Sequence, residues 1–272
     1  MALNAVVQAI QIGAYAARLA GVISGRVATS ISLFNLFVTA SRLAALFLTP
    51  ALGALADAAA DTAPHGAVSV EPAVSAQFEA QMRLIVLAGT VGTAIGALLL
   101  PIFITLFLRG IASFERRGSL LAALSRLADP RVAISVLGTY RPPTRGLLRG
   151  FTLERIPKRL LFFNVVVTSI YAIGVIAAYY ASILNLTART TATGLSGLIN
   201  GVATIAFTLI VDPTSALITD QAAKGERPVE DVKTMVFYLA LTAIVGTLVS
   251  QALLYPAALV IARGAGFFYH HI

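Results

Sequence analysis

The chain has 272 residues, of which 58% are hydrophobic and 12% charged, with a net charge of +8 at pH 7 and a mean hydropathy of +0.86. That composition excludes an ordinary soluble domain and places most of the chain in lipid. The absence of cysteine excludes disulfides, thiolate metal sites and thiol catalysis, and no G-x-x-x-x-G-K-[ST] segment is present to hydrolyse a nucleotide.

Apolar runs long enough to cross a hydrocarbon core as helices are predicted near Ala2 to Ile23, Val27 to Thr49, Leu84 to Leu108, Leu160 to Ile183, Leu195 to Ile218 and Thr234 to Ile261. No ladder of short alternating strands points to a barrel. The expected fold class is therefore all-α, a polytopic membrane protein of about six transmembrane helices. The first run has no basic segment ahead of it and carries Arg18 and Arg26 towards its far end, so it reads as a span and not as a cleaved leader.

The second span holds Ser32, Asn35, Thr39 and Arg42 at intervals of three, four and three, which puts them on one helical face. Pro50 should end or break this helix, with Asp57 following it. The segment from Arg109 to Arg159 carries eleven Lys or Arg against three acidic residues. Such a basic link is expected on the cytoplasmic side, which puts both termini outside. Its excess charge is read as topology control, or as attraction for anionic headgroups or polyphosphates, and not as a nucleic-acid site. Within it "GIASFERRGSLLAALSRLADP" has the pattern of an amphipathic cytoplasmic helix lying on the membrane or docked beneath the bundle. In the fifth span Ser196, Asn200, Thr204, Thr208 and Asp212 recur every four residues, and Pro213 and Asp220 follow. With tryptophan absent, Tyr15, Tyr179, Tyr180, Tyr255 and Tyr269 are the candidates for an aromatic belt.

Landmarks recur in order between the two parts of the chain. "VGT" at 91–93 and "RG" at 109–110 return 154 positions later at 245–247 and 263–264, while Arg26, Asn35, Pro50 and Asp57 are echoed by Arg189, Asn200, Pro213 and Asp220. Three spans per unit is an odd number, so the second unit would enter the membrane from the opposite side, a 3+3 inverted repeat. The expected organisation is a first three-helix repeat at 1–108, the basic link at 109–159 and a second repeat at 160–272.

Polar groups facing hydrocarbon are costly, so the stripes should face protein or water. On the functional reading Arg18, Arg26 and Arg42 bind a phosphate-bearing substrate with Asn35 and Asn200, because guanidinium forks pair with phosphate oxygens. Asp57, Asp212 and Asp220 then serve in gating or proton coupling. The alternative is structural: the Asn, Ser and Thr groups bond neighbouring helices, Arg18 and Arg42 snorkel, and Asp57 and Asp220 are solvated loop residues. His65, His270 and His271 form no zincin pattern; no metal, cofactor or catalytic constellation is expected, and the chain does not read as an enzyme. Translocation of a lipid-linked substrate, a channel or exporter for a small hydrophilic solute, and a non-transporting membrane scaffold stay open at this point.

The segments "AYAARLAGVISGRVATSISLFNLFVTASRLAALFLTPALGALAD", "TGLSGLINGVATIAFTLIVDPTSALITDQ", "VGTLVSQALLYPAALVI" and "IPKRLLFFNVVVTSIYAIG" together resemble the bacterial Amj family, the alternate lipid II flippases. The similarity runs over nearly the whole length. It implies movement of an undecaprenyl-pyrophosphate-linked disaccharide-pentapeptide from the inner to the outer leaflet of the bacterial cytoplasmic membrane for peptidoglycan synthesis, with lipid II and membrane lipids as partners. Six short spans are few to enclose so large a headgroup, which makes a homodimer an expected arrangement.

Overall fold

The computed structural model describes residues 1–118, 135, 138 and 152–271. Its helices are α1 (Ala2–Ser24), α2 (Val27–Leu46), α3 (Leu48–Ala60), α4 (Pro72–Leu98), α5 (Leu100–Arg117), α6 (Lys158–Leu184), α7 (Arg189–Ala206), α8 (Asp212–Ala223) and α9 (Val229–His271). No strand occurs among the described residues.

Glycine and proline punctuate these helices as their chemistry requires. Gly25 takes a left-handed conformation, φ 68°, and its N–H reaches back to the last carbonyls of α1, ending the helix in a tight turn. Pro72 opens α4, where the N–H it lacks would have no intrahelical partner. Six stretches are long and apolar enough to cross a membrane: Ala2–Ser24, Val27–Ala60, Pro72–Leu98, Lys158–Leu184, Arg189–Ala223 and Val229–Tyr269.

The two long split stretches differ from the simple spans expected of them. The second is interrupted at Phe47 and resumes at once as α3 with Pro50 in its first turn, so Asp57 lies in a helix and not in a loop. In the fifth, a π-helical turn, Phe207–Val211, separates α7 from α8, Pro213 again occupies a first turn, and Asp220 is also helical. The prolines displace the helical hydrogen bonding upstream and the chain then rewinds, because a first-turn proline forfeits no intrahelical bond. The third helix begins earlier than expected, at Pro72, and breaks at Leu99, two residues before Pro101; its continuation α5 runs across position 108 to Arg117, with Gly118 capping it. Most of the expected amphipathic helix falls outside the described residues; its first part, 110–117, is the end of α5.

Packing sets α1 and α6 in the interior: 61% and 50% of their apolar windows are buried, against 12% and 11% for the stretches containing α2 and α7, which therefore form the periphery. Helix α1 packs on α2, α4 and α5, and α6 packs on α7, α9, α3 and α4, while α8 crosses to α1. Small residues make the closest approaches. A Cβ on Gly92 would lie 2.0 Å from the Ala5 carbonyl oxygen, and one on Gly246 2.8 Å from that of Val165. The two "VGT" segments are thus the sites where α4 meets α1 and α9 meets α6, as expected where helices associate through small residues.

Two apolar clusters result. One gathers the second half of α1 with α5, α8 and the first half of α9; the other gathers the second half of α6 with α3, the first half of α4 and the second half of α9. Polar groups occupy the level between them. Tyr15 donates to Asn164 Oδ1 at 3.0 Å, Asn164 Nδ2 donates to the Leu239 carbonyl at 3.0 Å and Thr242 at 2.9 Å, and Thr90 donates to the Thr247 carbonyl at 3.3 Å. Tyr15 and Tyr180 are accordingly buried and not part of an interfacial belt, Tyr180 donating to Glu79 at 2.8 Å.

Candidate functional site

A cleft of about 420 Å³ opens between the halves. Helices α1 and α6 form its back wall, with Gln8, Gln11, Tyr15, Thr168 and Tyr171; α2 forms one side with Asn35, Thr39 and Arg42, and α7 with its π-helical turn forms the other with Thr204, Thr208 and Asp212. Helix α2 packs on α1 and α5, and α7 on α6 and α9, but among the described residues no extensive α2–α7 interface closes the front. Gly197 and Gly201 extend the Thr204–Thr208 face along α7 and have open space before them. Among the described residues the cleft is therefore a polar furrow with a lateral mouth and not a sealed tube.

The striped faces resolve differently, residue by residue. Asn35 and Thr39 are exposed into the cleft, and the Thr39 hydroxyl satisfies itself on the Asn35 carbonyl at 2.8 Å. Arg42 is exposed and, among the described residues, has no carboxylate partner. Thr204 repeats the Thr39 arrangement on the Asn200 carbonyl at 2.8 Å. Asn200 itself does not line the cleft: its Oδ1 is buried against α6, 2.2 Å from where a Cβ on Gly174 would stand, and has no hydrogen-bond partner among the described residues.

Arg18 is nearly buried, its side chain 12% exposed, and is ion-paired with Asp212 while its guanidinium lies 5.9 Å from the Phe34 ring centroid. The pair stands between the main cleft and a second cavity of about 150 Å³, with Phe34, Asn35 and Asp212 lining both. Asp220 lines only the smaller cavity. Arg26 lines neither and pairs with Glu115; Asp57 pairs with Arg189 at the other end of the bundle. Of the five expected substrate-binding residues, the fold thus brings Asn35 and Arg42 to the cleft, sets Arg18 in the adjoining smaller cavity where it pairs with the cleft-lining Asp212, and leaves Arg26 and Asn200 aside.

The back wall went unread in the sequence although its signal was available. Gln8, Gln11, Tyr15 and Arg18 repeat the three, four, three spacing of the α2 stripe, and Asn164, Thr168 and Tyr171 sit four and three apart on α6. What this surface offers chemically is one exposed guanidinium, several amides and hydroxyls, and a carboxylate neutralised by Arg18. Such a lining suits an anionic, highly hydroxylated ligand.

The profile of the family described as "Amj: Alternate to MurJ" matches residues 3–265. The chain is also 35% identical over 257 residues to the lipid II flippase Amj of Bacillus subtilis (strain 168), an alignment covering 94% of this chain and 91% of that protein. The chain belongs to the Amj family. No solved structure matches it. Membership covers all the helices that build the cleft, so the Amj match and the polar furrow concern the same part of the molecule.

Proposed function

We propose that this Amj-family protein is a lipid II flippase of the bacterial cytoplasmic membrane: a transporter, not an enzyme, that carries the polar headgroup through the α2–α7 cleft. The observation that carries this reading is the lateral mouth beside a cation, Arg42, that has no carboxylate partner among the described residues. Arg42 attracts the pyrophosphate, the amides and hydroxyls of Gln8, Gln11, Asn35 and Thr39 meet sugar hydroxyls, and the polyprenyl chain stays in lipid outside the gap between α2 and α7. A pore for a small solute needs a closed wall, and a static scaffold needs its polar stripes packed dry; the open furrow favours neither.

An inverted repeat of three spans per half underlies the mechanism. The reciprocal composition of the two apolar clusters supports it, as do the matched Gly92 and Gly246 contacts and the matched Thr39 and Thr204 bonds. Rocking of one half on the other exposes the cleft to each leaflet in turn, with the Arg18–Asp212 and Arg189–Asp57 pairs joining the halves on either side of the cleft. The Arg26 end faces the cytoplasm and the Arg189 end faces outward, in keeping with the basic link.

The test is outer-leaflet accessibility of lipid II in cells depleted of other lipid II flippases. Expression of this protein restores accessible lipid II; equal, low accessibility with and without the inserted protein overturns the proposal.

A further inference from the structure

The two ends of the bundle are fastened differently. At the Arg189 end, Asp57 of the first half pairs with Arg189 of the second. The 163-residue register that relates Asp57 to Asp220 also relates Arg26 to Arg189, so the counterpart of this clasp at the opposite end is Arg26 with Asp220. That pair is not made. Arg26 is bound instead to Glu115 of its own half, Asp220 is exposed with no ion pair among the described residues, and the cavity of about 150 Å³ lies between α8 and the start of α2, lined by Val27 on one side and by Ala216 and Asp220 on the other.

A second asymmetry explains where Arg26 waits. The 154-residue register that pairs the "VGT" and "RG" segments places Tyr269 opposite Glu115, so Arg189 has no acidic counterpart to Glu115 in its own half. Of these two arginines, Arg26 is the one with a carboxylate on each side of its choice, Glu115 and Asp220.

We infer that Arg26 is a partner-switching clasp: in a second conformation it leaves Glu115 for Asp220, closing the small cavity, and the Asp57–Arg189 pair opens at the other end. The inference rests on the inverted-repeat flippase reading and specifies its moving contact. The switch gives up two exposed Arg–carboxylate pairs, Arg26–Glu115 and Asp57–Arg189, and makes one, Arg26–Asp220; because exposed pairs of this kind contribute little net stability, the cost is small. The two arrangements are thus balanced closely enough for a bound headgroup to shift them. The π-helical turn at Phe207–Val211, immediately before α8, supplies the irregular backbone about which α8 swings.

The natural absence of cysteine makes the test direct. Val27→Cys with Ala216→Cys places one thiol on each side of the cavity while leaving Arg26, Glu115, Asp220, Asp57 and Arg189 in place. In membrane vesicles carrying the full chain, a short bifunctional thiol reagent should link positions 27 and 216. Adding Asp57→Ala should raise the yield severalfold, adding Asp220→Ala should lower it severalfold, and Arg26→Asp with Asp220→Arg should restore it. A yield that ignores these changes, or that fails to return with the reversed pair, overturns the clasp. Because this readout needs no lipid II, a chain that links as expected yet moves no lipid II contradicts the flippase reading and leaves the clasp standing.

Discussion

Arg18 of α1 and Asp212, the first residue of α8, stand 194 positions apart in sequence and are joined as an ion pair on the floor of the cleft. Arg18 is nearly enclosed while Asp212 is 44% exposed, so the guanidinium carries most of the desolvation and depends on its partner. The pair ties the first half of the chain to the second where the main cleft and the smaller cavity adjoin.

If that pair both closes the floor and compensates a buried charge, the two single substitutions should be non-additive. Arg18→Ala and Asp212→Ala should each lower thermal stability in detergent, and the double variant should lose less than their sum, a coupling on the order of 1 kcal/mol. A double-mutant cycle by thermal unfolding checks it; strict additivity removes the pair from the account.

The Tyr15–Asn164 bond predicts a graded response. Asn164 is fully buried and joins α1, α6 and α9, so Asn164→Leu leaves the Tyr15 hydroxyl and the Leu239 carbonyl without this partner and should cost about 1–2 kcal/mol. Tyr15→Phe removes one bond and should cost less. Midpoints of thermal unfolding in one detergent give the order.

Glycine contacts predict a sharp contrast within one residue type. Gly92→Ala drives a methyl group into the Ala5 backbone and should destabilise by about 1–3 kcal/mol, whereas Gly197→Ala meets open space and should be neutral or stabilising. Equal effects at the two positions would show that α1 and α4 do not approach as closely as described.

Wetting of the cleft can be mapped on the cysteine-free chain. Thr39→Cys and Thr208→Cys place thiols on the cleft lining and should react with a water-soluble maleimide, while Val202→Cys and Leu209→Cys lie on the exposed apolar side of the same α7 stretch and should stay protected by lipid. Comparison of labelling rates in intact vesicles decides between a water-filled furrow and stripes packed dry.

Spans and stripes were legible in the sequence because hydrophobic length and helical spacing report directly on what each face must avoid. The orientation of a single polar side chain was not. Asn35 and Asn200 occupy matching positions, yet one meets the cleft and the other is packed over Gly174, and a spacing of three or four residues cannot say which neighbour a face will meet. The aspartates teach the same lesson: Asp57 and Asp220 follow prolines that suggested loops, but prolines set in first turns let the helices continue. Gln8, Gln11 and Tyr15 had the informative spacing and were overshadowed by the more polar stripe of α2.

The central claim is that the headgroup of lipid II passes between α2 and α7 and is held there by Arg42. Its most direct test is the purified protein in liposomes holding labelled lipid II, read by the fraction of label reached by an external enzyme over time. The account predicts rapid exposure with the parent chain and a rate lowered about ten- to hundredfold by Arg42→Ala in equally folded protein, the loss expected when a charge-assisted hydrogen bond is removed. Exposure no faster than in protein-free liposomes, or a full rate in the Arg42→Ala variant, would contradict it.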